Sequence, residues 1–249
     1  MKIAHTSLLL ILTAIMLQAR AQNTIFLSQG KIEYERRFNQ YSLLEEDNTW
    51  SEVEKKSMSQ FRTSYFDMLF TRNKTLYKPG AREGAGTSPM WFSEQPGQNN
   101  IIYSDLENEK STSQKKVFEE TFLVTDSLRK IRWKLTDETR VIAGFNCRRA
   151  NAIIMDSIYV VAFYTDEILT TGGPESFTGL PGMILGIALP HQHVTWFATK
   201  VESVSVADTQ VAPPQKGKKT DIAGLKETLN TALKDWGKYG QRFIQAAML

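Results

Sequence analysis

The stretch from residue 172 to 189 constrains the fold of this chain more than any other part of its sequence. It runs Gly-Gly-Pro-Glu-Ser-Phe-Thr-Gly-Leu-Pro-Gly-Met-Ile-Leu-Gly-Ile-Ala-Leu. Pro181 restricts φ and Gly182 tolerates a positive φ, so the pair predicts a type II turn. The apolar run Met183–Leu189 is short for a helix and predicts a buried strand. Gly186 inside this run predicts a β-bulge or the close approach of another backbone.

The segments around this strand have the pattern of an antiparallel sheet. Short turn clusters separate the strand-like runs, and such connections join antiparallel neighbours because a parallel return needs about a dozen residues or more. The pattern predicts a mainly β fold: a curved antiparallel sheet, shaped as an open half-barrel or bowl, with a C-terminal helix. The predicted strands are 30–38, 61–70, 75–78, 101–105, 116–124, 131–135, 141–155, 158–165, 183–189 and 194–206.

Residues 1–21 have the pattern of a secretory signal peptide. Lys2 precedes the apolar run Leu8–Leu17, and Ala19-Arg20-Ala21 matches the small-x-small cleavage pattern. The apolar run is well short of the ~20 residues that a membrane-spanning helix needs, and no later run is longer. We therefore expect export, cleavage after Ala21 and a periplasmic or secreted location.

Two further segments are expected after the signal peptide. Residues 22–210 form a β-rich domain, and residues 211–249 form a basic linker and a C-terminal helix with Asp221 as its N-cap. The tail from Pro214 carries seven basic and three acidic residues. This composition favours a solvated helix docked on the sheet, and the alternative is an interaction tail or a contact with an anionic membrane surface. The apolar positions at helical spacing are Ile222, Leu225, Leu229, Leu233 and Trp236.

Charge and cysteine content exclude two further classes. Removal of Lys2 and Arg20 lowers the formal net charge from +3 to +1. Such a balance argues against a general nucleic-acid binder, which would be strongly basic. A single cysteine, Cys147, excludes an internal disulfide framework. Because its neighbours are strand-like, we expect Cys147 to be a buried small side chain and not a reactive thiol.

The hexapeptide Gly179-Leu180-Pro181-Gly182-Met183-Ile184 resembles the signature of the GLPGLI family of secreted Gram-negative proteins, with Met183 in place of the second leucine. The order of segments from Trp133 to Phe177 is similar as well. The resemblance implies a secreted, β-rich protein. It brings no catalytic residues, because the family has no established activity. We therefore interpret the hexapeptide as a structural signature.

Three aromatic side chains are the candidate binding residues. Trp91 and Phe92 lie at the centre of a Gly- and Pro-rich connection, residues 79–100, and connections of this length are often functional. Phe177 lies in the signature stretch. That stretch is not a phosphate-binding loop, because it contains no lysine and a strand, not a helix, is predicted after it. No Gly-x-Ser-x-Gly motif is present, so neither catalytic residues nor a cofactor are predicted.

His191 and His193 are the candidate metal ligands. Residues two apart on a strand share a face, so both imidazoles could reach one metal ion. Two ligands are too few, and Cys147 or a carboxylate would have to complete the set. We therefore expect a surface pair without a tightly bound metal.

These observations favour an exported, non-catalytic envelope accessory protein that binds an unknown ligand or an envelope or outer-membrane protein. One alternative is a periplasmic hydrolase with two carboxylates about 5–10 Å apart. Another is a metal-handling protein that uses His191 and His193. Nucleic acid is not an expected partner, and the oligomeric state stays open.

Overall fold

A computed structural model describes residues 26–44, 49–87 and 96–249. Within these residues, twelve strands form one sheet and three α-helices lie outside it. The helices are α1 (Thr49–Ser57), α2 (Ile222–Ala232) and α3 (Gly237–Ala247). The strands are β1 (Gly30–Asn39), β2 (Phe61–Phe70), β3 (Lys74–Pro79), β4 (Ile101–Asp105), β5 (Lys110–Val117), β6 (Glu120–Ser127), β7 (Lys134–Ile142), β8 (Phe145–Ile154), β9 (Ile158–Thr165), β10 (Met183–Leu189), β11 (Val194–Glu202) and β12 (Lys218–Thr220).

The strand order is β12-β6-β5-β4-β3-β2-β1-β11-β10-β9-β8-β7. This order requires a strongly curved sheet. A flat sheet would separate β6 from β7 by ten strand spacings, about 48 Å. The connection from Ser127 to Lys134 spans at most about 25 Å when fully extended. The sheet therefore curls until β6 and β7 approach, and its two edges stay unpaired with each other.

The predicted mainly β fold with a C-terminal helix is confirmed. The sheet differs from the prediction in being mixed. The short strand β12 pairs parallel with β6, whereas every other described pair is antiparallel. β12 follows the Pro-rich linker and covers the backbone of β6, which would otherwise be an open edge.

The predicted strand after the signature turn is β10, and its burial explains its apolar composition. All of its residues but Ala188 are buried. The pairing with β9 shifts register between Ile184 and Gly186, which confirms the predicted bulge. A Cβ at Gly186 would lie 2.7 Å from the Phe197 ring, so glycine is required for this close packing.

The turn before β10 has the predicted positive φ, but its hydrogen bond differs from the prediction. Gly182 has φ 140°. Its N–H donates to the Leu180 carbonyl at 2.8 Å, a two-residue pattern that belongs to a γ-turn around Pro181 and not to a type II turn. A Cβ on Gly182 would lie 2.0 Å from the Thr165 carbonyl oxygen, so the turn abuts the end of β9.

Two of the predicted strands are wrong, because each is a hairpin in the structure. The predicted strand 116–124 is divided between β5 and β6 by a turn in which Phe118 has φ 53°. The predicted strand 141–155 is divided between β7 and β8 by a turn at Ala143 and Gly144, with φ 50° and 88°. Phe118 is not a usual turn residue, so the first turn has no clear signal in the sequence, whereas Gly144 is a turn signal that the prediction of one long strand overlooked.

The C-terminal segment contains two helices where one was predicted. Asp221 is the N-cap of α2, as predicted, and accepts a hydrogen bond from the Gly224 N–H at 2.7 Å. α2 ends at Ala232, and α3 begins at Gly237, whose positive φ redirects the chain. Apolar residues of both helices pack on β5 and β6. They are Leu225, Leu229, Leu233, Ile244, Ala247 and Met248.

The described residues contain no helix that is long and apolar enough to cross a membrane. The predicted signal peptide, residues 1–21, lies outside the described residues. The predicted burial of Cys147 is confirmed, because its side chain is fully buried.

Candidate functional site

A cavity of about 730 Å³ lies between the inner face of the sheet and α3. This volume is in the range of small-molecule binding sites. Its floor comes from β1, β11 and the loop before β10, and its outer wall comes from α3 and the turn before it. The residues of the floor are Arg36, Phe38, Glu175, Val194 and Trp196, and those of the wall and mouth include Phe118, His191, His193, Asp235, Trp236, Tyr239, Arg242 and Phe243.

Strand pairing places Arg36 on the cavity floor. Arg36 and Trp196 are partners across β1 and β11, and the guanidinium carbon lies 5.5 Å from the centre of the indole ring. The Arg36 side chain is on the same face of β1 as Ile32 and Tyr34, which is the buried face. The positively charged Arg36 side chain therefore lies on the face of β1 that otherwise packs in the hydrophobic core.

Arg36 is buried, with 5% of its surface exposed, and is only partly hydrogen-bonded. Its Nη2 donates to the Pro96 carbonyl oxygen at 3.3 Å, while Nε and Nη1 have no hydrogen-bond partner in the part of the chain that the structure describes. Burial lowers the pKa of Arg36, and the nearby Glu175 carboxylate opposes this effect. Unpaired donors of a buried cation are costly, so they mark a place where a ligand can bind.

Glu175 is the acidic group of the floor and is 2% exposed. Its φ of 52° is uncommon for a residue other than glycine, and such positions are concentrated at functional sites. Asn100 Nδ2 donates to Oε2 at 2.8 Å; within the described residues Oε1 makes no hydrogen bond of normal geometry, although the Tyr77 hydroxyl is close enough to lower the pKa of the carboxyl group. Burial raises the pKa of Glu175, while the charge of Lys115 and the hydrogen bond from Asn100 oppose the rise.

Aromatic rings form the outer wall of the cavity. Phe118 and Phe243 stack with their ring centres 4.7 Å apart, and Trp236 meets Phe118 edge-on at 5.7 Å. Trp236 is 52% exposed and Tyr239 is 41% exposed, so both rings are available to a ligand. Flat aromatic faces with polar groups close by suit a ligand that has both apolar and hydroxylated surface.

The end of the chain is anchored beside this cavity. Lys115 Nζ donates to the Ala247 carbonyl at 3.2 Å, and Arg129 Nη2 donates to the Met248 carbonyl at 2.5 Å. Ser176, next to Glu175, donates to the Leu249 carbonyl. These bonds fix α3 against the sheet, and so they fix the wall of the cavity.

The signature residues, by contrast, have positions that suit a structural role. Leu180, Met183 and Ile184 are buried, and the Ile184 carbonyl accepts a hydrogen bond from the Tyr34 hydroxyl at 2.7 Å. Gly179 and Pro181 are exposed. None of the six residues, Gly179 to Ile184, lines the cavity.

The aromatic binding candidates are only partly placed. Phe177 is fully buried and packs against Trp196, with ring centres 6.4 Å apart. It supports the floor from behind and does not line the cavity. Trp91 and Phe92 lie outside the described residues.

His191 and His193 do not lie on a strand, contrary to the geometry assumed for the pair. His191 belongs to a short 3₁₀ helix, Pro190–Gln192, and His193 has a left-handed conformation with φ 53°. Both side chains are exposed at the cavity mouth. Among the described residues, no group of three or more His, Cys, Asp or Glu is arranged to hold a metal ion.

The sequence predictions did not include the residues that build the cavity: Arg36, Glu175, Trp196, Trp236 and Tyr239. One signal was available for Arg36, because strand alternation places it on the same face of the predicted strand 30–38 as Ile32 and Tyr34. The other four come from distant parts of the chain, and only the fold brings them together.

A family model described as "N-glycanase peptide, N-terminal domain" matches residues 95–226, which are more than half of the chain. The chain belongs to this N-glycanase family. The match covers Glu175, Trp196 and the whole of the signature stretch. It does not cover Arg36 or α3.

The N-glycanase assignment agrees with comparisons of the fold. Two solved structures of PNGF-II, from different space groups, match with TM-scores of 0.53 and 0.52 and 16% sequence identity. They cover 80% and 81% of this chain. This chain spans about a third of the length of those proteins, 32% and 33%. A comparison with curated proteins gives no match.

The resemblance to the GLPGLI family is therefore wrong. The N-glycanase family model includes residues 179–184, which carried that resemblance. The hexapeptide encodes a tight turn followed by a buried strand, and unrelated sheets can need the same local structure. The expected function is wrong as well, since a non-catalytic accessory role with an unknown ligand conflicts with membership of an N-glycanase family.

Proposed function

We propose that this chain handles the glycans of glycoproteins, and that it binds their saccharide chains in the aromatic cavity. The observation that carries the proposal is the pairing of exposed rings, Trp236 and Tyr239, with unpaired polar groups on the floor below them. Sugar rings have apolar C–H faces that pack on aromatic rings and hydroxyl groups that pair with polar side chains. The N-glycanase family and the likeness to PNGF-II support the same ligand class.

Binding and catalysis are tested separately. Calorimetric titration with an N-glycan released from a glycoprotein measures binding, and the electrophoretic mobility of a glycoprotein substrate measures glycan release. We expect binding by the wild-type protein and at least about tenfold weaker binding by Trp236→Ala, because an exposed ring contributes contact area to the ligand.

The matched control is Phe26→Ala, which removes an equally exposed aromatic ring, 58% exposed, that does not line the cavity. It should bind as the wild type does, and the thermal midpoints of both variants should stay near that of the wild type. Absence of both binding and glycan release in the wild type would end the proposal. Equal losses in the two variants would place the ligand outside the cavity.

Export and the division of the chain are part of the proposal. Residues 1–21 would direct export and be removed after Ala21, residues 22–210 would form the β-rich domain, and residues 211–249 would add the edge strand β12 and close the cavity. The partner would then be a glycoprotein in or beyond the envelope, and not nucleic acid. An intact mass that still includes residues 1–21 in exported protein would contradict the cleavage.

A further inference from the structure

Two buried ionisable side chains line the cavity floor, Arg36 and Glu175. Lys115 is buried as well, but it does not line this cavity, and its Nζ donates to the Ala247 carbonyl. Within the described part of the chain, Arg36 and Glu175 form no ion pair within 4 Å, so the guanidinium is not neutralised by direct contact.

Among the described residues, the guanidinium of Arg36 has two buried donors without a hydrogen-bond partner, Nε and Nη1. The other buried polar groups of the floor, the Trp196 indole and the Glu175 carboxyl, both lie close to the Tyr77 hydroxyl. A matching ligand must therefore accept hydrogen bonds from Arg36, and a negative charge on it would offset the buried guanidinium.

A carboxylate meets both requirements, because it accepts hydrogen bonds from guanidinium groups with charge assistance. Accordingly, we propose that Arg36 binds the carboxylate of an acidic sugar, a sialic or a hexuronic acid, in the glycan that occupies the cavity. The proposal rests on the proposed function, since it names the class of sugar. The sugar ring would lie between Arg36 and the exposed rings of Trp236 and Tyr239, which are on opposite sides of the cavity.

Glu175 is compatible with an anionic ligand. Its Oε2 is bound to Asn100, and burial favours the neutral carboxyl group, which can donate from Oε1 to the ligand. The positive charges of Arg36 and Lys115 act the other way and favour the carboxylate.

Paired ligands that differ only in charge provide the test. Glucuronic acid is compared with glucose, and a sialylated N-glycan is compared with the same glycan after removal of sialic acid; free N-acetylneuraminic acid is measured as well. We expect the acidic member of at least one pair to bind about tenfold tighter or better, as charge-assisted hydrogen bonds imply. The two pairs also distinguish a hexuronic acid from a sialic acid.

Variants of arginine residues then test whether Arg36 causes the preference for the acidic ligand. Arg36→Gln should lose the preference for the acidic ligand, and Arg36→Lys, which keeps the charge, should retain part of it. Arg148→Gln is the control, because Arg148 is an exposed arginine that does not line the cavity. It should keep the preference. The comparison of ligands with the wild-type protein needs no variant, so a folding defect in Arg36→Gln would not prevent the test.

The outcomes separate this inference from the proposed function. Equal binding of acidic and neutral glycans overturns the inference and leaves glycan binding intact. Binding of the acidic monosaccharides without any binding of N-glycans supports a carboxylate site at Arg36 and rejects the glycan proposal. No binding of any acidic sugar overturns the inference. Tighter binding of an acetylated aspartyl peptide than of either sugar acid would assign the site to a peptide carboxylate and overturn the inference as well.

Discussion

Replacement of Gly182 by alanine tests whether the signature turn holds the strand that supports the cavity. Gly182 has φ 140°, and its missing Cβ would lie 2.0 Å from the Thr165 carbonyl oxygen at the end of β9. The neighbouring atoms are backbone, so no side-chain rotation can relieve the overlap. Gly144 is the matched control: it also has a positive φ, 88°, but a Cβ there would meet nothing within 4 Å.

Substitution of Gly182 has two unfavourable energetic contributions, backbone strain and steric overlap, whereas substitution of Gly144 has only backbone strain. A residue with a Cβ in an unfavourable backbone region costs about 1–3 kcal/mol. Overlap in a packed interior costs about 1–3 kcal/mol more. We therefore expect Gly182→Ala to lower the free energy of unfolding by about 2–6 kcal/mol, a large part of the ~5–15 kcal/mol typical of a folded protein. Gly144→Ala should lose about 1–3 kcal/mol.

Urea unfolding followed by tryptophan fluorescence measures both losses. The expected result is a lower midpoint for Gly182→Ala than for Gly144→Ala, with the slope of the transition unchanged. Equal midpoints for the two variants would show that the overlap with the end of β9 does not destabilise the protein, contrary to this prediction.

Three further predictions concern titratable and metal-binding groups. Burial lowers the pKa of Lys115 to about 8, so the folded protein binds this proton less tightly than the unfolded chain, and stability from this group rises between about pH 8 and the ordinary lysine pKa of 10.5. Lys115→Met should flatten that part of the stability–pH curve in urea unfolding, and an unchanged curve would contradict the assignment. Burial raises the pKa of Cys147 to about 12, so a thiol reagent should label it only after denaturation; rapid labelling of the native protein would show that it is accessible. Zinc titration should reveal no sub-micromolar site, since His191 and His193 have no third ligand among the described residues, and tight binding that is lost in His193→Ala would overturn this.

Local patterns in the sequence were sufficient for several parts of the sheet. The apolar run of β10 with its central Gly186 predicted a buried, bulged strand, and Asp221 predicted the N-terminus of α2. Each of these features depends on neighbours along the chain. The turn at Phe118 was not predicted because an apolar residue adopts the left-handed conformation there, whereas the turn at Ala143 was missed although the next residue, Gly144, is a usual turn residue.

The cavity could not be predicted in the same way. Arg36, Glu175 and Trp236 lie far apart in the sequence, and the curvature of a twelve-stranded sheet brings them together. Whether the buried polar atoms of the floor are hydrogen-bonded depends on residues from distant parts of the chain. No local pattern in the sequence could therefore show that some donors of Arg36 lack a partner among the described residues. The hexapeptide 179–184 was misleading for a related reason: it specifies a local turn and strand, which carry little information about the family.

A crystal structure of the protein with a bound N-glycan would show directly whether the cavity is the glycan-binding site. We expect electron density for a sugar ring between Arg36 on the floor and the rings of Trp236 and Tyr239 on the wall. A glycan bound elsewhere on the molecule, with the cavity unoccupied, would contradict it.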